Sequence, residues 1–325
     1  MYPSYLNAYN DGSLNRVVEQ AFSLLESCCI CPRKCRVNRL SNESGFCKTG
    51  LKPKVTSYMP HHGEEPPISG ERGSGTIFFS NCNMGCAYCQ NYQFSQLGEG
   101  REVDFVDLAH FMLELQGLGC HNINLVTPTH VTPQILKALQ IAIPKGLKIP
   151  LVYNTGGYEL FEMIRLLEGI VDIYLPDMRY ADQEMGEKYS NAPDYPKHNQ
   201  ASLKEMHRQV GIADIDNEGI IKRGLIIRHL VLPNKISGTE KVMRFIAEEL
   251  SKETYISLMS QYTPYYKAPD MKDISRRITL EEYEEAENFM HECGLYNGWT
   301  QDSGGLERFA GIHIKPNIKD KSDES

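Results

Sequence analysis

The sequence predicts an α/β protein, a partial (β/α)6 TIM-like barrel with an N-terminal Cys-rich module. Two observations carry this expectation. From Thr76 onward, six short apolar runs alternate with stretches whose apolar residues recur at helical spacing, the pattern of repeated βα units around a parallel sheet. Ahead of them, five of the ten cysteines crowd into residues 28–47. The two parts are separated by "MPHHGEEPPISGERGSG" (59–75), rich in Pro and Gly and poor in apolar residues, as a linker or an ordered loop would be. The chain is therefore divided into residues 1–70, the Cys-rich module and linker; 71–300, the barrel; and 301–325, a C-terminal extension whose last residues, "KDKSDES", have the polarity of a frayed tail.

In chain order the runs are "TIFF" (76–79), "NINLV" (122–126), "IPLVYN" (149–154), "VDIYL" (171–175), "LIIRHLVL" (225–232) and "YISLM" (255–259). Between them, "VDLAHFMLELQGLG" and "TPQILKALQIAI" read as helices, the second opening on a Thr-Pro start signal. Six units fall short of the eight that close a barrel, so the barrel is expected to be incomplete.

Composition narrows the partners. A net charge of −8 argues against a broad phosphate-binding face, and nucleic acid is not expected. The opening residues lack the basic patch and apolar core of a secretory signal, and no apolar run reaches the length of about 20 residues that a membrane span needs. A cytoplasmic location away from the membrane is expected, with thiols reduced and used for metal or redox chemistry rather than disulfides.

Directly after the first run comes "NCNMGCAYCQNYQFS" (81–95), with Cys82, Cys86 and Cys89 at the spacing C-x3-C-x2-C. In βα barrels chemistry collects in the loops after strand C-termini. Three thiolates can hold three irons of a [4Fe-4S] cluster and leave the fourth open to a small molecule. A structural zinc completed by Cys120 or a histidine is the plainer alternative. The bacterial ferredoxin run, C-x2-C-x2-C-x3-C-P, is not followed.

This spacing, with Tyr88 before the third cysteine, resembles the signature of the radical S-adenosylmethionine enzymes. The resemblance implies that Cys82, Cys86 and Cys89 ligate a [4Fe-4S] cluster, that S-adenosylmethionine chelates the open iron, and that an electron from the reduced cluster yields a 5′-deoxyadenosyl radical for hydrogen abstraction. It implies a reducing partner such as flavodoxin or ferredoxin, and puts Tyr88 near the adenine, although a packing aromatic is equally compatible. Further motifs, "CPRKCRVNR" (31–39), "GEEPPISG" (63–70), "NLVTPTH" (124–130) and "RHLVLP" (228–233), resemble the subfamily called pyruvate formate-lyase activating enzyme-like. That likeness implies activation of a glycyl-radical enzyme. A radical enzyme acting on a small molecule or peptide is the alternative, and a non-catalytic iron-sulfur or zinc protein is the alternative of another class. One departure stands out. Many members carry Gly-Gly-Glu after the second strand to bind the methionyl amine, and this chain has Thr127-Pro128-Thr129.

Other candidates for binding S-adenosylmethionine follow from strand-end position: Thr127 and Thr129, Asn154 with Thr155, Asp177 with Arg179, and Arg228 with His229 in the fifth run. Caps, turns, a surface ion pair and a satisfied core histidine are the ordinary roles of such residues. Gln261 and Tyr262 are expected as polar lining deeper in the barrel. The N-terminal spacing Cys28-x2-Cys31-x3-Cys35-x11-Cys47 suits a second metal site, either zinc or a second iron-sulfur cluster, with Cys29 left over.

Overall fold

The computed structural model describes residues 1–301 and 314–316. The polar tail expected at the C-terminus lies outside the described residues.

One sheet organises the chain. Its strands are β1 (Lys54–His61), β2 (Ser74–Phe79), β3 (Arg101–Glu102), β4 (Ile123–Val126), β5 (Leu151–Thr155), β6 (Ile173–Pro176), β7 (Asp214–Ile215), β8 (Ile221–Leu230), β9 (Tyr255–Met259), β10 (Gly298–Gln301) and β11 (Ile314–Pro316). They lie in the order β11-β10-β9-β8-β6-β5-β4-β2-β1-β3, with β7 against β8. The neighbours from β2 through β10 are parallel, and β1, β3, β7 and β11 pair antiparallel. All six expected runs are strands of this parallel set. β2, β4, β5 and β6 are buried almost throughout, the last two at every residue, as strands covered on both faces must be. The ends of the sheet do not meet, so the barrel is partial.

Two strands go beyond expectation. β10 extends the parallel set to seven, and its approach to β9 depends on a missing side chain: at Gly298, with φ +126°, a Cβ would stand 1.9 Å from the Ile256 carbonyl oxygen. β1 runs through part of the stretch expected as a linker and pairs with β2, from Val55 opposite Phe79 to His61 opposite Ser74. The segment after the N-terminal cysteines is thereby part of the same sheet.

The helices are α1 (Tyr5–Asn10), α2 (Ser13–Ser23), α3 (Pro66–Ser69), α4 (Tyr92–Ser95), α5 (Phe105–Gly117), α6 (Thr132–Ala142), α7 (Phe161–Leu166), α8 (Gln183–Ser190), α9 (Tyr195–Val210), α10 (Thr239–Glu249) and α11 (Leu280–Glu292). α5 starts on a reciprocal cap, Asp104 accepting from the Asp107 amide and Asp107 from the Asp104 amide. α6 carries proline in its first turn, where no amide is needed. In α2, Leu14, Val18 and Ala21 fall on one buried stripe, and this helix packs on α6. The start of the chain is pinned to the N-terminal side of the sheet. The Ser4 hydroxyl donates to Asp172 at 2.6 Å and the Tyr5 hydroxyl to the Ile149 carbonyl at 2.8 Å. No helix among the described residues is long and apolar enough to cross a membrane.

Candidate active site and cluster loop

The loop after β2 is held on several sides. Asn81, in the left-handed region at φ +68°, turns the chain out of the strand, an excursion Asn tolerates better than most residues. The Gly85 amide then donates to the Ser190 carbonyl and the Ala87 amide to the Tyr189 carbonyl, both at 2.8 Å, so the end of α8 braces the loop much as a neighbouring strand would. From the other side the Lys267 amide donates to the Ala87 carbonyl at 2.8 Å. Asn83 reaches across to the Tyr158 carbonyl at 2.6 Å.

This bracing brings Cys82, Cys86 and Cys89 to the wall of one cavity of about 640 Å³, within the ordinary range for small-molecule and cofactor sites. Each sulfur has a hydrogen-bonding neighbour. The Met84 amide donates to Cys82 Sγ at 3.3 Å, the Ser190 hydroxyl donates to Cys86 Sγ at 3.0 Å, and the Ser95 hydroxyl lies 3.1 Å from Cys89 Sγ. Burial, together with the charge of Cys86, pushes the Cys82 and Cys89 thiols upward. Three thiolates side by side here need a bound cation to be stable. Among the described residues no three His, Cys, Asp or Glu side chains are grouped to hold a metal ion. A [4Fe-4S] cluster gives each thiolate its own iron and leaves a fourth open, and three sulfurs on one roomy cavity are the ligand set that would hold it.

Tyr88 is buried beside Cys89. Its hydroxyl lies 2.7 Å from that of Tyr180, which lies 2.7 Å from Ser190 Oγ. With Ser190 donating to Cys86, the chain Tyr88–Tyr180–Ser190–Cys86 forms a buried relay ending on a sulfur. Burial pushes the Tyr88 phenol up to about 12. The Tyr262 ring meets Tyr88 edge-on at 5.6 Å. Tyr180 and Ser190 were not singled out from the sequence, and no local signal marks them; α8 and the segment after β6 bring them in.

Charged and polar side chains reach the cavity beside the apolar Phe78, Val126, Leu230 and Met259. Arg228 Nε donates to Asp177 at 2.8 Å and its Nη2 to Asn154 Oδ1 at 2.7 Å, with Glu64 3.7 Å from Nη1. Arg179 also pairs with Asp177. Asn154, Thr155, Asp177, Arg179, Arg228, Thr127, Gln261 and Tyr262 thus share this cavity. Thr129 and His229 do not line it. Thr129 donates its hydroxyl to the buried Glu159, as does Thr155; His229 is satisfied by the Met178 carbonyl and the Thr239 hydroxyl, and burial holds its imidazole down to about 4. Thr127 occupies φ +62°, strained for a β-branched residue. Glu64, Glu65 and His61, none of them expected as site residues, also line the cavity. β1 and α3 carry them there from the stretch expected to be a linker.

The N-terminal cysteines sit differently. Cys28, Cys31 and Cys47 are buried and Cys35 is half-buried. Burial, then the nearby Cys47 and Cys28 charges, push Cys31 up to about 12. The three are thus near one another. Arg33 joins this segment to the cluster loop, donating from Nε to the Asn83 carbonyl at 2.9 Å and stacking 3.6 Å over Phe46.

An uncharacterized protein of Methanocaldococcus jannaschii is 34% identical over 280 residues, 84% of this chain and 77% of the relative. Three solved structures share fold resemblance at low identity. They are Streptococcus suis SuiB bound to precursor peptide SuiA (11% identity, TM-score 0.45, 66% of this chain and 44% of that one), methylornithine synthase PylB (14%, 0.44, 66% and 61%), and HydG, a maturase of the [FeFe]-hydrogenase (10%, 0.44, 67% and 48%). The chain thus spans about half the length of these structures. The model of the Radical SAM superfamily matches residues 76–246, from within β2 into α10 and just over half of the sequence, and this chain belongs to that superfamily.

Proposed function

We propose that this chain binds a [4Fe-4S] cluster through Cys82, Cys86 and Cys89 and cleaves S-adenosylmethionine reductively to start a hydrogen abstraction. When bound, the cluster would supply the electron that splits the sulfonium into methionine and a 5′-deoxyadenosyl radical able to take a hydrogen atom from substrate. The observation that carries the reading is three hydrogen-bonded thiols on the wall of one cavity that charged and polar side chains also reach. The protein's part is to hold the sulfurs through Met84, Ser95 and Ser190, to orient the nucleoside against Tyr88 and Tyr262, and to shield the reacting atoms from water. Electrons come from a reducing partner such as flavodoxin or ferredoxin, in the cytoplasm. Anaerobic reconstitution, an iron count and a titration with S-adenosylmethionine test this. Under dithionite the wild type should release 5′-deoxyadenosine, and Cys82→Ala, Cys86→Ala and Cys89→Ala should each release none; wild-type turnover in any of the three sinks the assignment.

The finer reading is activation of a glycyl-radical enzyme, supported by the subfamily-like motifs. Its substrate loop would enter past residues 127–130 and 261–266. Incubating reduced enzyme and S-adenosylmethionine with glycyl-radical proteins from the same cell, with electron paramagnetic resonance as readout, decides it: no glycyl signal on any of them removes this role. A small-molecule or peptide substrate is the second reading, favoured by the charges of Glu64, Glu65, Asp177 and Arg228 deep in the cavity. Zinc or a second cluster at Cys28, Cys31, Cys35 and Cys47 belongs to the same proposal, on the support of their spacing.

A further inference from the structure

The segment "CPRKCRVNR" (31–39) carries three arginines in three different settings. Arg36 is exposed and Arg33 reaches the cluster loop, but Arg39 is fully buried, at 0% exposure. Its amide donates to the Leu25 carbonyl at 2.9 Å, and the Asn38 side chain caps the short turn that Arg39 opens, so the backbone holds the side chain inside. Nε and Nη2 donate to the Gly50 carbonyl at 3.1 and 3.0 Å. Nη1 has no hydrogen-bond partner, and no carboxylate pairs with this guanidinium among the described residues. A buried charge without a counter-charge is strongly unfavourable, and arginine does not escape by giving up its proton. An anion is missing beside it.

The charge of Arg39 is felt at His130 and Cys47. His130 is no anion, and its Nε2 bonds the Ser80 carbonyl at 2.8 Å. Glu159, whose charge reaches Cys31, is tied to the Thr129 and Thr155 hydroxyls instead. The thiols remain. They are not gathered round one point, yet backbone donors are already aimed at their sulfurs: the Arg33 amide at Cys31, the Thr49 amide at Cys47, and the Phe46 amide at Cys35 Sγ, 3.5 Å away. The last approach depends on Gly45, where a Cβ would stand 2.6 Å from the Cys35 sulfur. A neutral thiol is a weak acceptor, whereas a charged one makes short, strong bonds to such amides. We propose that Arg39 is the buried counter-cation of an anionic four-thiolate metal site formed by Cys28, Cys31, Cys35 and Cys47. Zinc or an oxidised [4Fe-4S] cluster held by four thiolates is doubly negative in either case, and Arg39 offsets part of that charge where water does not reach. The proposal rests on the reading of these cysteines as a metal site and adds to it a positioning residue outside the ligand set.

The test titrates cobalt(II) into the full chain carrying Cys82→Ala, Cys86→Ala and Cys89→Ala, so that the cavity sulfurs take up none. Thiolate-to-cobalt charge-transfer absorption reports binding, and competition with a chelator gives the affinity. Arg39→Gln keeps an N–H for the Gly50 carbonyl and removes the charge; Arg39→Lys keeps the charge. Arg39→Gln should bind cobalt about tenfold more weakly or worse, the scale of a lost charged hydrogen bond, and Arg39→Lys should recover most of that loss. A merely structural Arg39 would lower the unfolding midpoints of metal-free and cobalt-loaded chains alike and leave the affinity unchanged, which overturns the proposal. Equal weakening in both variants overturns it too, since charge would not be what Arg39 supplies. If Arg39→Gln does not fold, the unmutated side chain still gives an answer: with nitrogen-15 arginine in the wild-type chain, zinc loading should slow hydrogen exchange at the guanidinium whose signal Arg39→Lys lacks, and unchanged exchange overturns the proposal. A parent chain that shows no thiolate-to-cobalt absorption removes the metal-site reading and the proposal with it, whereas cobalt uptake indifferent to residue 39 removes the proposal alone.

Discussion

The chain has two groups of closely spaced cysteines, and their surroundings differ more than their spacings do. Cys82, Cys86 and Cys89 line a cavity, and each sulfur has a nearby amide or hydroxyl. Cys28, Cys31 and Cys47 are buried, Cys28 among Leu25, Ile30 and Met163, and none of the three lines that cavity. Short spacing brings thiols together in both places, and amides donate to sulfur in both, as Phe46 does to Cys35 Sγ at 3.5 Å; what the loop after β2 adds is the open cavity beside its sulfurs. A reactive metal needs the second kind of site, while a buried group of thiols suits a closed structural one.

The comparison breaks most visibly with Cys28→Ala, Cys31→Ala, Cys35→Ala and Cys47→Ala combined. If this group holds a structural metal, the variant should lose that metal and much of its stability in metal analysis and denaturant unfolding, with iron at Cys82, Cys86 and Cys89 retained. An unchanged metal content relative to wild type would show that these thiols are merely packed.

Glu159 sharpens the contrast next, because it stands between the regions, accepting from Thr129 and Thr155 and raising the nearby Cys31. Burial pushes its carboxyl up from 4.5 to about 7. The folded state therefore keeps a proton that the unfolded chain releases above pH 4.5, so this group's contribution falls as pH rises from 4.5 to 7 and is flat beyond. Glu159→Gln keeps the acceptor for both threonines and should gain up to about 3 kcal/mol over wild type at pH 8, and little at pH 4. Urea unfolding of both proteins across that pH range checks it; a constant difference would contradict the proton linkage.

Arg33 is the direct tie between the two regions. Arg33→Ala removes its bond to the Asn83 carbonyl and its stacking on Phe46, and should cost about 1–3 kcal/mol. Iron in the loop after β2 should become easier to remove with a chelator, and unchanged iron release would mean that the two regions are uncoupled. The smallest expected effect is that of Ser190→Ala. Losing a donor to Cys86 Sγ should make the cluster harder to reduce at an unchanged iron count, because hydrogen bonds to sulfur stabilise the more negative state. A redox titration reads the shift, and a potential equal to wild type would exclude a role for the Tyr88–Tyr180–Ser190 relay.

What local sequence determined is what depends on near neighbours. Short continuous apolar runs and period-3.6 patterning marked the six parallel strands and the helices between them, because a strand covered on both faces and the inner side of a helix must be apolar wherever they lie. The C-x3-C-x2-C loop was legible for the same reason: its position after a strand needs only the strand. Tertiary structure alone decided the rest. "GWTQ" has too little apolar pattern to announce a strand, and β10 exists because Gly298 lets it press against Ile256. "KVTSYMPH" contains Pro60 and polar residues, and becomes β1 because β2 offers it a partner. Thr129 stands at the strand end that position suggests, yet its hydroxyl turns to Glu159, thirty residues on in the sequence. Glu64 and Glu65 read as part of a Pro-rich linker until β1 delivers them into the cavity beside Arg228. Their charge was always visible in the sequence, but the direction of a side chain and the partner it lacks are set by contacts between residues far apart in the chain, which no local pattern encodes.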